Sequence, residues 1–351
     1  MTRKVDSLQS CPAPLPHDDI VQLAHGGGGT LTSRLIDRLF IPAFRNPHLD
    51  ALGDGAVVAV GDTRLAFTTD SFVVKPVFFP GGNIGSLAVH GTVNDLAMCG
   101  AEPLYLSAGL VLEEGFPMSD LERVVAGMAE ACHNVGVSVV TGDTKVVDRG
   151  KGDGIYINTS GVGRVRDGVS VGPARATVGD AVLVSGPVGD HGIAVMAARE
   201  GIDFETALVS DSAPVVAPVA ALLETVPDTH VLRDPTRGGL ATALSEVAVS
   251  SQVGIRLEEA EIPVRDEVRG ACELLGFDPL YVACEGRFLA VVPGEQAEAA
   301  LAAIHAEPGG EGARVIGRVV GEDPGRLVMR TRIGSHRLLE RLSGEQLPRI
   351  C

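Results

Sequence analysis

The stretch Gly53–Asp70, GDGAVVAVGDTRLAFTTD, decides how the chain is read. Its apolar runs, AVVAV at 56–60 and LAFTT at 65–69, flank Gly61-Asp62-Thr63-Arg64 and predict a β-hairpin. If Val60 pairs with Leu65, Gly55 faces Asp70 and Asp54 lies diagonally beside it, at the open end of the hairpin. Two carboxylates so placed repel one another unless a cation lies between them. A hard cation such as Mg2+ suits oxygen ligands of this kind, often together with a nucleotide's phosphates. Either aspartate alone could instead cap a strand or a turn.

Upstream, Gly26–Gly29 run into TLTSRLIDRLF, which reads as a loop entering a helix with Leu31, Leu35, Leu39 and Phe40 on one side. The loop's backbone N–H groups could receive an anion, although the Lys-Ser/Thr of a Walker sequence is missing. Downstream, NIGSLAVHGTVNDLAMCG is a helix that Asn83 can cap and Gly100 can end. Asn83, His90 and Asn94 can share one side of it, with Asp95 adjacent; a lone His90 there could as well be an ordinary hydrogen-bonded residue. Ser119-Asp120-Leu121-Glu122 predicts a capping box, opening a helix whose stripe of Leu121, Val124, Val125, Met128, Cys132 and Val135 closes at Gly136.

VSVV at 137–140 predicts a short strand delivering Thr141-Gly142-Asp143-Thr144-Lys145 to its end, where the glycine permits a tight turn. Lys145 could meet a phosphate or a developing oxyanion there, or form a plain surface pair with Asp143. Residues 165–180 turn to Gly, Pro and charge and mark the join between domains. Beyond it, GPVGDHG and DPTRGG open further helices, and Asp234 in the second could complete an acidic cluster. The chain divides into an arm (1–44), an N-terminal domain (45–165), a C-terminal domain (175–340) and a tail (341–351), expected to be mobile, ending QLPRIC.

Composition bounds the rest. A chain of 351 residues, 45% hydrophobic and 21% charged, can build two cores. A formal charge of −16 leaves no basic stripe for nucleic acid. No apolar run suggests a signal peptide or a membrane span, which points to the cytoplasm. The six cysteines are scattered, without the close pairs of zinc or redox motifs.

Together LGDGAVV, TTDSFVV, GTVNDLAMCGAEP, TGDTK, GPVGDHG and DPTRGGLATAL resemble the ATP-dependent family of aminoimidazole ribonucleotide synthetases, selenophosphate synthetases and thiamine-monophosphate kinases. Within it FFPGGNIG, GDTKVV and the terminal PRIC resemble the hydrogenase-maturation carbamoyl dehydratases. The glycine loop has neither the Cys nor the Lys of the selenium enzymes. The resemblance implies an α/β (α+β) chain of two domains, whose N-terminal domains form a β-barrel across a homodimer. It also implies ATP and Mg2+ held by Asp54, Asp70, Asp95 and Asp234, under the Gly26, Gly27, Gly28 and Gly29 loop. Asn83, Asn94, Asp143 and Thr144 are candidate nucleotide contacts. Cys351 would receive a carbamoyl group from a carbamoyltransferase and carry it through ATP-dependent dehydration to a thiocyanate. Cyanide would then pass to iron on a scaffold complex. Lys145 is the expected cation at the carboxamide oxygen; Glu285 is the expected base, with His90 as its competitor. Other expectations stay open: a small-molecule kinase or synthetase with an idle tail, or a non-catalytic scaffold for metallocentre assembly.

Overall fold

The computed structural model describes residues 20–202, 208–342, 347 and 349–351; the first 19 residues of the arm, residues 203–207, and residues 343–346 and 348 of the tail lie outside the described residues. The arm carries α1 (Thr30–Leu35), a π-helical stretch (Ile36–Phe40) and α2 (Ile41–Phe44). The N-terminal domain runs β1 (Ala56–Val60), β2 (Thr63–Phe72), a short pair β3 (Phe78–Phe79) and β4 (Gly82–Asn83), α3 (Ile84–Met98), β5 (Ala101–Glu113), α4 (Met118–Val135), β6 (Ser138–Val147) and β7 (Ile155–Val165). In the C-terminal domain follow β8 (Ala181–Val184), α5 (Asp190–Glu200), α6 (Val216–Thr225), β9 (Val231–Arg233), α7 (Gly239–Ser251) and β10 (Gly254–Glu258). It ends with α8 (Asp266–Leu275), β11 (Leu289–Val292), α9 (Ala297–His305), β12 (Arg314–Val320), β13 (Leu327–Arg330) and β14 (His336–Leu339).

The hairpin forms, but two residues tighter than expected. Val60 lies opposite Thr63 and Ala56 opposite Phe67, so the turn is Gly61-Asp62 alone, with Gly61 at φ +60°. A two-residue turn opening on a left-handed glycine matches the twist of the strands. A shift of two preserves the alternation, so every side chain keeps its face. The second departure is larger: β6 pairs in parallel with β5 as far as Glu113 opposite Val147, which puts Thr141–Lys145 inside the strand rather than in a loop at its end. Gly142 serves close approach, not a turn; a Cβ there would stand 2.3 Å from the Ala108 carbonyl oxygen.

The N-terminal sheet, ordered β1-β2-β7-β5-β6, buries one face under α3 and α4. Asn83 starts α3 as expected, its side-chain oxygen accepting from the Gly85 and Ser86 N–H groups. The predicted capping box of α4 does not form, because the helix begins at Met118 behind Pro117; Gly136, at φ +80°, ends it. α3 is apolar nearly all round because the sheet, α4 and α6 enclose it. The other face of the sheet exposes Phe67, Tyr105 and Val111. Within one chain the sheet is open, with edges β1 and β6; the expected barrel is not closed.

The C-terminal sheet, ordered β14-β13-β10-β12-β8-β11-β9, is covered by α7 on one face and by α6 and α9 on the other. In the arm, Leu31 and Leu35 of the expected apolar stripe are partly covered, while Leu39 and Phe40, with Phe44 beyond them, stay exposed in a single chain. Thr30 N–H donates to the Leu342 carbonyl, tying the arm to the root of the tail. Among the described residues no helix is long and apolar enough to cross a membrane.

Candidate active site

Three separate elements deliver the acidic residues to one place. Asp54 leads into β1, Asp95 sits in the last turn of α3, and Asp234 follows directly on β9. One carboxylate oxygen from each lies within 4.8 Å of the others. They line a cavity of about 450 Å³ together with Asp70, Glu285, Cys351 and Gly28. The Thr68 hydroxyl stands 2.7 Å from the Asp95 carboxylate and 2.9 Å from the Asp54 carbonyl, and can donate to either.

Two arginines, not a lysine, offset this charge. Arg233 reaches Asp54 at 2.7 Å and Glu246 at 2.6 Å; Arg237 reaches Asp70 at 3.1 Å. They do not neutralise the cluster. Burial, and then repulsion from Asp234, Asp54 and Asp70, hold Asp95 well above its ordinary range. Burial and Asp54 push Asp234 up to about 8. Such a set must hold either a proton or a cation, and three oxygen ligands beside open space fit a hard divalent ion that keeps water or phosphate oxygens. Asp70 stands apart from the three, occupied by Arg237 and by the Ser71 N–H at 2.7 Å.

The last residues of the chain form another wall. Val73 N–H donates to the Cys351 carboxyl oxygen at 3.0 Å, Lys75 N–H to the Arg349 carbonyl at 3.2 Å, and Arg349 Nε to the Val73 carbonyl at 3.1 Å. Arg349 also pairs with Asp153, while Ile350 is buried in the N-terminal core. The end of the tail is thus docked against residues 73–75, with Arg349 in a left-handed turn at φ +55°. Cys351 lies half-buried, and burial pushes its thiol up to about 12, opposed by Arg237 and reinforced by Glu285 and Asp70.

Glu285 is buried, and its Oε1 has no hydrogen-bond partner. Its backbone is fixed on both sides: its N–H donates to Asp211 at 3.0 Å and its carbonyl accepts from Asn94 at 3.1 Å. Burial, then Asp234, Asp70 and Asp211, raise its carboxyl well above the ordinary range against the pull of Arg237.

Several expected site residues lie elsewhere. Asn83 is at the opposite end of α3 from Asp95, where its side chain is spent on the cap. Asn94 faces the domain interface instead of the cavity, donating to the Ala213 and Glu285 carbonyls and accepting from the Val215 N–H; that uses its polar atoms on the protein itself. His90 meets the Ser212 hydroxyl at 3.1 Å, and burial lowers it to about 4, so it is neutral. Asp143, Thr144 and Lys145 stand exposed on edge strand β6, outside the cavity of their own chain, because the strand continues past its expected end. Of the glycine loop, Gly28 lines the carboxylate cavity, Gly26 and Gly27 line a smaller cavity on the other side of Cys351, and Gly29 opens α1. The arginines Arg233 and Arg237 are the missed residues. Their signal was present, since both flank Asp234 in RDPTRGG.

The fold and this cavity define an AIR synthase related protein. The family models for its N-terminal and C-terminal domains match residues 52–165 and 177–330. The chain is 52% identical to the carbamoyl dehydratase HypE of Azotobacter vinelandii, over 94% of this chain and 97% of that one, and 47% identical to that of Escherichia coli K12, over 94% and 99%. It also resembles a HypE crystallised with HypF (TM-score 0.84, 45% identity, 88% and 99% covered) and a HypE in complex with ATP (TM-score 0.80, 50% identity, 93% and 98% covered). The chain belongs to the carbamoyl dehydratase HypE family.

Proposed function

We propose that this chain is a carbamoyl dehydratase that uses ATP to convert an S-carboxamide on its own Cys351 into a thiocyanate, supplying cyanide ligands for iron in nickel-iron hydrogenase maturation. The observation that carries the reading is the seat of Cys351, on the wall of the carboxylate cavity that Arg237 and Glu285 also line. The names of the relatives and the HypE–ATP complex support it.

The chemistry asks for two things. An amide oxygen leaves poorly, so the γ-phosphoryl group of ATP is first transferred to it with loss of one N–H proton, giving an imidate phosphate. Removal of the remaining N–H proton then breaks the C–O bond, releases inorganic phosphate and leaves S–C≡N. Asp54, Asp95 and Asp234 would hold Mg2+, which when bound offsets phosphate charge, with Asp70 beside them. Arg237 is the cation of this chain within reach of the oxygen as charge develops there. Glu285 takes the N–H proton; burial and the neighbouring Asp234 and Asp70 raise the proton affinity of its carboxylate.

The seat suits a loaded sulfur and not a free one. Burial pushes the Cys351 thiol up to about 12, which disfavours the thiolate while the tail is seated; in this reading Cys351 leaves the cavity to be carbamoylated. A carbamoyltransferase partner provides that step in this reading, supported by the related HypE–HypF complex, and an iron-carrying scaffold receives the product. The setting is the cytoplasm, where thiols stay reduced, and the described cysteines are free. The open N-terminal sheet, with its apolar outer face, fits closure into a barrel across a homodimer. That dimer gives Lys145 a place, at the cavity of the neighbouring chain.

The test is intact-mass measurement of the C-terminal peptide after incubation with carbamoyl phosphate, the carbamoyltransferase, and ATP with Mg2+. A carbamoyl adduct that loses water only when ATP is present is the expected result. An adduct that never dehydrates, or Cys351→Ala protein that retains product formation, overturns the reading; the latter outcome would favour a small-molecule kinase or synthetase.

A further inference from the structure

One buried histidine is left over by this chemistry. His191, in the first turn of α5, is fully buried and does not touch the carboxylate cavity. Its Nε2 lies 3.0 Å from the Ile350 carbonyl and its Nδ1 lies 2.7 Å from the Ser210 hydroxyl. The edge of the Phe79 ring, 5.5 Å away at 89°, fixes the imidazole plane. A carbonyl can only accept, so Nε2 carries the hydrogen. In the neutral ring that burial favours, Nδ1 is then bare and accepts from the Ser210 hydroxyl.

From Ser210 the connection continues into the site. The same hydroxyl accepts the Ser212 N–H at 3.0 Å, and the intervening Asp211 accepts the Glu285 N–H at 3.0 Å. The segment is held from the other side by Asn94, which donates to the Ala213 and Glu285 carbonyls. The ring therefore joins a backbone carbonyl one residue before the reacting sulfur to the loop that fixes the backbone of the candidate base.

We propose that His191 is a positioning residue that registers the seated tail and, through Ser210 and Asp211, sets Glu285 against the group on Cys351. This assignment deepens the dehydratase reading and rests on it for its catalytic consequence, but the latch itself can be measured without any turnover. With the tail seated, the Ile350 carbonyl selects the Nε2–H tautomer and Ser210 must donate. With the tail away, that constraint on the ring is gone, and the Ser210–Asp211 loop loses its reference to the chain end.

Two readouts separate the latch from the chemistry. First, alkylation of Cys351 by iodoacetamide, without ATP or partner and followed on the C-terminal peptide, reports how often the tail leaves its seat. His191→Ala and Ser210→Ala should each raise that rate about tenfold, the loss of roughly one buried hydrogen bond. Alkylation of the buried Cys272 and Cys284 should not change. His191→Gln, whose amide can still donate to Ile350, should recover most of the protection. Second, on protein carbamoylated beforehand, His191→Ala should slow ATP-dependent dehydration while ATP affinity is unchanged, and His191→Gln should restore it in part.

Cys351 alkylation unchanged in folded His191→Ala overturns the assignment; if that variant does not fold, unchanged alkylation in Ser210→Ala does so. Faster alkylation with no effect on dehydration overturns the coupling to Glu285. If wild-type protein dehydrates nothing, the dehydratase reading fails, and with it the coupling to Glu285, while the alkylation series still decides the latch.

Discussion

Two carboxylate–cation pairs of the same length stand in different surroundings. Asp143 and Lys145 meet at 2.7 Å on edge strand β6 with about two-thirds of each side chain exposed; Asp54 and Arg233 meet at 2.7 Å beneath the cavity with 10% and 19% exposed. In water the first pair is screened and its partners keep their hydration, so it contributes little to folding. The second has surrendered its hydration, and its worth lies in what happens when one partner is removed. A short distance between opposite charges is therefore no measure of function; what surrounds the pair decides.

The contrast is broken most easily at Arg233. Replacing it by Met takes the cation from the largely buried Asp54 and the half-buried Glu246, beside two aspartates already held above their ordinary range. Arg233→Met should lose about 3–5 kcal/mol of stability in urea denaturation. Stability equal to wild type would mean that the buried pair is as idle as the exposed one. Asn94 comes next, as an uncharged member of the same buried region. Asn94→Ala strands the Val215 N–H and two carbonyls and should cost about 2–3 kcal/mol, with a fall in dehydration because Glu285 is one of the residues it holds.

How much of this was legible depended on whether the signal was local. The hairpin, α3 and its Asn83 cap, and α4 with its Gly136 stop follow from neighbouring residues, and all are present within a few positions. The turn shifted by two because loop length is set by strand twist, which composition does not report. β6 ran through TGDTK because a long parallel partner, β5, rewarded extension, and partners are not written in the strand itself. The acidic set was readable as Asp-bearing motifs, yet their convergence depends on three elements from two domains. The polar residues of α3 were misread for one reason: a helix enclosed on every side hides which edge faces a cavity, so Asn94 looked like a ligand when it serves as an interdomain bracket. Arg237 was in plain view, but nothing local distinguishes a cavity arginine from a surface one.

Asp95 sharpens the comparison in the opposite direction. A buried carboxylate repelled by its neighbours weakens the metal-free fold, so Asp95→Asn should raise the melting temperature by about 2–4 °C while reducing Mg2+-dependent dehydration at least about a hundredfold. A fall in both would show that the cluster is no reservoir of repulsion. The pH dependence has a defined sign. Asp234 is raised from 3.8 to about 8, so its folded form holds a proton that the unfolded chain has already released. Its contribution is complete below about pH 4 and disappears as pH climbs toward 8. Metal-free protein should accordingly melt lower at pH 8 than at pH 5, and Asp95→Asn should flatten the slope.

Lys145 gives the smallest effect and the most discriminating one. Exposed and paired only with Asp143, it should leave the melting temperature unchanged when replaced by Ala. If it serves a neighbouring chain, the same variant loses dehydration without losing stability, a combination that a surface pair inside one protomer would not produce. Mixed dimers then assign the direction. A Lys145→Ala chain retains its own Cys351, and a Cys351→Ala chain retains its own Lys145, so each variant alone is inactive. Co-assembled, they regain partial activity only if the lysine of one chain acts at the sulfur of the other. No recovery would return Lys145 to the class of its exposed neighbours, and would leave Arg233 and Arg237 as the cations that act at the cavity.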